Sequence, residues 1–146
     1  MSSIVCISVV EWAIAQKNIC AIRKAVFVEE QGVPEELDLD GLDQDCLPML
    51  ARNDQGQPIG TARMKANGKI GRMAVLKPWR GRGVGRTLLR ELLTEAQRRG
   101  LSQVYLAAQT QAIGFYEQHG FQMTGDVFLD AGIPHQNLIL KLPTQP

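Results

Sequence analysis

One compact stretch, Arg80, Gly81, Arg82, Gly83, Val84, Gly85 and Arg86, separates an apolar run from a helical pattern and limits what the rest of the chain can fold into. To its left, residues 70–76 (IGRMAVL) are short and mostly apolar, and they end at Lys77 and Pro78. Proline has a fixed φ and no N–H, so a strand stops there. To its right, Val84, Leu88, Leu92 and Ala96 recur every four residues, with Leu89 and Leu93 beside them and Gly100 placed to end the run. That spacing predicts an amphipathic helix. A glycine-rich turn from strand to helix aims several backbone N–H groups at one point, where the helix dipole adds partial positive charge. Arg80, Arg82 and Arg86 add charge-assisted donors for phosphate oxygens. The stretch therefore predicts a polyphosphate cradle.

Spacing decides among such cradles. A dinucleotide fingerprint needs glycine at the first, third and sixth positions, and the sixth from Gly81 is Arg86. A Walker loop enters its helix through Gly-Lys-Ser or Gly-Lys-Thr; here Gly85, Arg86, Thr87 puts arginine for lysine, and Arg80 stands where the earlier glycine belongs. An arginine-glycine tract of the RNA-binding kind would need more than one copy outside a strand-to-helix junction. What remains is Arg80, Gly83 and Gly85 as Arg-x-x-Gly-x-Gly, after a strand ending in Ala-Val-x-x-Pro. This pattern resembles the acetyl-CoA-binding motif of the GNAT N-acetyltransferase superfamily.

At 146 residues the chain suits a single domain, 1–146, with a core of its own. A formal net charge of +1 gives no general attraction for nucleic acid. Glu11 and Lys17 interrupt the apolar N-terminal segment, so neither a signal peptide nor a membrane span is expected. Cys6, Cys20 and Cys46 are widely spaced and form no C-x-x-C pair, which suggests no disulfide framework, no metal site and a reducing cytoplasm.

The remaining segments can be taken in order. Residues 4–10 are β-branched and apolar and predict a first strand; residues 12–28 carry Ile14, Ile19, Ile22, Val26 and Phe27 at helical spacing, with Trp12 and Phe27 read as core. Gly32 and Pro34 break that helix and leave Glu29 and Glu30 at its negative end. Residues 35–45 are acidic. Glu36, Asp38, Asp40 and Gly41 look like a calcium loop, yet its twelfth position is Leu47 and not the bidentate glutamate. The segment reads as a solvated acidic loop, or as a patch that attracts a cationic amine.

Residues 47–51 and 59–64 flank the turn Asp54, Gln55, Gly56, Gln57, Pro58, and Asn67-Gly68 marks a second hairpin before residues 70–76, giving an antiparallel meander. Residues 104–108 follow the strand-helix crossover and should run parallel to 70–76, with the cradle at their shared C-terminal ends. Thr110 can cap a short helix bearing Ala112, Ile113, Phe115, Tyr116 and His119, which Gly120 ends. Residues 121–128 and 138–142 read as closing strands separated by a loop over 130–135.

This order resembles the GNAT fold over nearly the whole chain: an α/β (α+β) class with a mixed central sheet of about six to seven strands, flanked by helices, and a splayed pair of parallel strands. Within that superfamily the chain is similar to the ElaA-like group, through Ala25-Val26-Phe27-Val28-Glu29-Glu30-Gln31, Tyr105-Leu106-Ala107-Ala108-Gln109, Gly114-Phe115-Tyr116, Gly120-Phe121 and Gly132-Ile133-Pro134-His135.

The resemblance implies transfer of an acetyl group from acetyl-CoA to a primary amine of a small molecule or peptide by direct attack, without a metal. It implies that residues 80–86 grip the pyrophosphate and that Met73, Ala74 and Val75 hydrogen-bond the pantetheine arm like an added strand. Gln109 stands where many members have an asparagine that contacts CoA, and Tyr116 where they carry a general-acid tyrosine.

The amine must first lose a proton, and a pKa of about 10.4 makes that cost roughly 4–5 kcal/mol at neutral pH. The superfamily often places a glutamate on the strand before the cradle, but here Ile70, Gly71, Arg72, Met73 and Ala74 include no carboxylate. His135 and Glu30 are the candidate bases, His135 favoured by its near-neutral reference pKa. His119, beside a helix-ending glycine, receives no catalytic role. The missing strand carboxylate also leaves open a non-catalytic acyl-CoA sensor or interaction protein. A homodimer through the C-terminal sheet edge is compatible with the resemblance.

Overall fold

The structure, a computed structural model, describes residues 5–143. Its strands are β1 (Cys6–Val9), β2 (Cys46–Arg52), β3 (Pro58–Lys65), β4 (Lys69–Val75), β5 (Gln103–Gln109), β6 (Gln122–Asp130) and β7 (Ile133–Lys141). They form one sheet in the order β1-β2-β3-β4-β5-β7-β6. Only β4 and β5 are parallel; the other neighbours are antiparallel. The helices are α1 (Trp12–Arg23), α2 (Glu35–Asp38), α3 (Val84–Arg98) and α4 (Ile113–Glu117). Ile4, the expected start of the first strand, lies outside the described residues.

The middle of the sheet is covered on both faces, which is why β2 and β3 are buried along almost their whole length. Alternation along β2 divides its side chains between two cores: Met49 and Ala51 join the α3 side, Leu50 the α1 side. Helix α3 packs Val84, Leu88, Leu89, Leu92 and Ala96 against the sheet, all at 2% exposure or less. Its three buried leucines alone contribute roughly 5–9 kcal/mol of transfer free energy, which fixes the helix and the loop that starts it.

Three expectations need correction. The helix expected over 12–28 is α-helical only to Arg23 and then widens into a π-helical segment, Lys24–Glu30. Ile14 is 79% exposed, because one residue before Ala15 turns it about 100° away from the buried stripe of Ala15, Ile19 and Ile22.

The acidic segment is not a solvated loop. Asp38 and Asp43 are buried, and the segment holds α2 and a 3-10 turn, Asp43–Asp45. Arg23, itself 1% exposed, donates from Nε to Asp38 at 3.1 Å and from Nη1 to Asp43 at 2.8 Å. Arg63 donates to Asp43 at 2.9 Å and also binds Asp40, while Arg72 reaches the Asp40 carboxylate at 3.3 Å. These carboxylates are therefore spent inside the protein, and no external amine is needed to balance them.

The late loop is also shorter than expected. Strand β7 begins at Ile133, and only Ala131 and Gly132, both at positive φ, make the hairpin turn. His135 consequently sits in a strand.

Strand β4 carries the irregularity that matters most. Arg63 pairs with Gly71 but Thr61 with Ala74, so three residues of β4 answer two of β3, and Arg72 takes φ 50° at the bulge. In a regular strand Ile70 and Ala74 would share a face; the extra residue sends Ile70 into the α3 core and Ala74 into the α1 core. It also aims the Arg72 guanidinium at the acidic segment, where Nε and Nη2 donate to the Asp38 and Leu37 carbonyls at 3.3 Å.

Candidate active site

Strands β4 and β5 pair only at Lys69 with Tyr105 and Ile70 with Leu106. Beyond that seam they separate and open a cleft of about 570 Å³. Met73 and Arg72 line it from β4, Ala107, Ala108 and Gln109 from β5, Phe27 and Gln31 from the end of the first helical segment, and Ala112 and Tyr116 from α4 and the turn before it. Asp130, Ile133 and His135 close it from the β6–β7 hairpin. Because β5 has turned away, the β4 edge at Met73–Val75 has no strand partner on that side. Part of it is used within the chain, since Arg80 Nε donates to the Val75 carbonyl at 2.9 Å.

The Tyr116 hydroxyl rests on the Met73 sulfur at 3.8 Å, and its ring meets Phe115 and Phe121 edge-on at 5.0 and 5.8 Å. Burial pushes the phenol up to about 12, so at neutral pH it is a protonated donor. His135 lies opposite Gln109 in the β5–β7 ladder. Its Nδ1 is 2.7 Å from the Ile133 carbonyl. A carbonyl oxygen can only accept, so Nδ1 carries the hydrogen, and in the neutral form of the ring the lone pair is on Nε2.

Glu30 and Arg80, assigned separate tasks from the sequence, meet in a two-pronged ion pair at 2.8 and 2.9 Å. The Arg80 hydrogen bond holds the Glu30 carboxyl below the usual carboxylate range, which weakens it as a base. Arg80 lines the cleft; Glu30 does not.

Gly81 and Gly83 take φ of 74° and 82°, and a Cβ at either would meet no neighbouring atom. Glycine is required there by backbone handedness, and the loop stands open. The first α3 bond joins the Thr87 N–H to the Gly83 carbonyl at 3.0 Å, which leaves the N–H groups of Val84, Gly85 and Arg86 pointing out of the helix start. Arg82 lies over the Trp79 ring at 5.1 Å. Gln109 donates to Gln31 at 2.7 Å across the mouth of the cleft.

Phe27, read as core, lines the cleft, and so do Gln31, Lys69, Arg72 and Asp130, to which the sequence assigned no role in a site. Arg72 carried a visible signal, a charge inside an apolar strand. The others owe their position to the split of the sheet.

A parallel pair that parts beside a glycine-rich helix start, with a half-buried tyrosine between, is the architecture that the resemblance leads one to expect of an acyl-CoA-dependent acyltransferase. The sequence profile of the acetyltransferase (GNAT) domain matches residues 15–142, and the chain belongs to that family. A Bacillus subtilis (strain 168) protein named as an acetyltransferase is 43% identical over 120 residues, 78% of this chain and 81% of that one. Among solved structures, an acyl-CoA N-acyltransferase from Pseudomonas aeruginosa is 30% identical with a TM-score of 0.82, covering 94% of this chain and 99% of that one. Escherichia coli ElaA is 26% identical with a TM-score of 0.83, covering 93% and 99%. The expected resemblance and fold class hold, and the protein is an acyl-CoA-dependent N-acetyltransferase. Among the described residues, no helix is long and apolar enough to cross a membrane.

Proposed function

We propose that this chain, as a single domain, moves the acetyl group of acetyl-CoA directly onto a primary amine of a small molecule or peptide inside the β4–β5 cleft. The split of the two parallel strands carries this reading, because it sets an unpaired strand edge between the open cradle and the Tyr116 hydroxyl.

Residues 81–86 bind the pyrophosphate through the outward N–H groups at the start of α3. Met73, Ala74 and Val75 orient the pantetheine arm, and Gln109 contacts it from β5. His135 takes the amine proton at Nε2, directly or through a water, while the Glu30–Arg80 pair ties the π-helical segment to the cradle. The amine nitrogen bonds to the carbonyl carbon as the C–S bond breaks, its second proton passes to solvent, and the Tyr116 O–H hydrogen-bonds the departing sulfur. Complete proton transfer from a phenol near 12 to a thiolate of pKa about 8.5 would be uphill by roughly 4–5 kcal/mol. The hydrogen bond to the developing charge is therefore what Tyr116 supplies. The thiolate recovers its proton from solvent.

Thiol release from acetyl-CoA with a panel of primary amines tests this. Tyr116→Phe should lower kcat about 100-fold while acetyl-CoA still raises Tm. A Tm rise with acetyl-CoA but no thiol release from any amine would favour the sensor instead. The reading includes a reducing compartment, in keeping with the free thiols of Cys6, Cys20 and Cys46, and a homodimer. Edge strand β6 exposes Met123, Val127 and Leu129 and is the surface for that pairing, which light scattering would detect.

A further inference from the structure

Next to the closed end of the cleft lies a second space of about 230 Å³ that shares Lys69, Ile70, Gly71 and Arg72 with it. Besides those residues, Asp40, Arg63 and Lys65 line this side pocket, so four cationic side chains face one carboxylate.

The charges of the neighbouring ion-pair network do not explain all of them. Arg23, Arg63 and Arg72 are matched by Asp38, Asp40 and Asp43, three against three. Lys65 and Lys69 stand outside that balance and, among the described residues, have no carboxylate within ion-pair distance. Both are half-buried, and both face the side pocket. Arg72 spends Nε and Nη2 on the acidic segment and leaves Nη1 without a protein partner among the described residues. Two unmatched ammonium groups and a free guanidinium nitrogen thus converge on a concave site with low-dielectric walls, where field lines concentrate.

The cleft itself is lined by Lys69 and Arg72, by Arg80, which is spent on Glu30, and by two carboxylates. Its lining carboxylates are Asp38 and Asp130. Asp38 is held by Arg23 and Arg72, whereas Asp130 has no ion-pair partner among the described residues. A substrate reaching from the cleft into the side pocket would meet one unpaired carboxylate, Asp130, and the unmatched cations of the side pocket.

We propose that the acetyl acceptor is an amine that also bears an anionic group, a carboxylate or a phosphate, and that Lys65, Lys69 and Arg72 hold that group in the side pocket while the amine points toward Tyr116. This rests on the reading of the cleft as the transfer site and names the substrate class for it. It also replaces the simple cationic amine suggested by the acidic segment. Four steps along the strand lead from Lys69 to Met73, a backbone span of about 13 Å that sets the scale of the distance between anion and amine.

The test compares three acceptors with the same alkyl chain: a diamine, an ω-aminocarboxylate and an ω-aminoalkyl phosphate. For the wild-type protein, kcat/KM from thiol release should be at least tenfold higher for one of the anionic acceptors than for the diamine, and the preferred one identifies the group. The double variant Lys65→Gln, Lys69→Gln should raise KM for that acceptor about tenfold relative to its KM for the diamine. Lys69→Arg, which keeps the charge, should retain the preference. Binding of each acceptor to the CoA-loaded protein, measured by calorimetry, gives a readout independent of turnover. Anion-dependent binding that the double variant loses supports the pocket even if no thiol is released, a result that would sink the transfer reading alone. A diamine bound as tightly as either anionic acceptor, or a preference that survives the double variant, overturns the proposal.

Discussion

Asp43 accepts hydrogen bonds from two guanidiniums at once, Arg23 at 2.8 Å and Arg63 at 2.9 Å, in a region closed to solvent. Asp43→Ala would leave both cations short of a partner in low dielectric, and urea unfolding should show a loss of about 3–5 kcal/mol. Asp40 gives the same network a pH signature. The Arg63 hydrogen bond first, helped by the Leu42 N–H and the charges of Arg63 and Arg72, holds its carboxyl well below the ordinary aspartate value, against the opposing effect of burial. Below about pH 4 the unfolded chain then takes up a proton at this position that the folded chain refuses, so stability falls as pH falls. Melting curves between pH 5 and 2 should steepen in the wild type and flatten in Asp40→Asn. None of this was legible in the sequence. Asp38, Asp40 and Asp43 follow one another closely, but their partners lie at positions 23, 63 and 72, on elements that only the folded sheet brings together. Tyr116 and His135, which line the cleft, could be picked out as candidates from short motifs around them, because those motifs are local.

The elements divide in the same way. The strand-turn-helix junction at 80–86 was readable because its signals are consecutive: a strand stopped by Pro78, glycines where φ must be positive, and a four-residue apolar repeat behind them. Gly83→Ala forces a side chain into the left-handed region at φ 82°, which costs roughly 1–2 kcal/mol and pulls the first N–H groups of α3 out of line. Calorimetry should show weaker acetyl-CoA binding, by tenfold or more, with only a modest fall in Tm. The π-helical segment was hidden because α and π spacings differ little over seven residues. The β4 bulge was hidden for a different reason. Ile70 and Ala74 are both apolar, and Gly71, Arg72 and Met73 between them show no alternation from which a slipped residue could be noticed.

Across the whole molecule, the β2–β3–β4 meander followed from its short connections, and the parallel pair from the strand-helix crossover. How far β4 and β5 stay together did not, since no residue type announces where a parallel ladder stops. That seam is two residue pairs long, while the ladders on either side of it run on for several more. The sheet is therefore two blocks, β1–β4 with α1 and β5–β7 with α4, joined by α3 and one short zipper. In hydrogen exchange without ligand, amides of β5 and β7 should open with a free energy distinct from those of β2 and β3. Acetyl-CoA, lying between the blocks, should bring the two values together; identical values before it is added would show the seam to be strong enough unaided. The substrate would then act as a structural member, and the cooperativity of unfolding would become a reporter of occupancy.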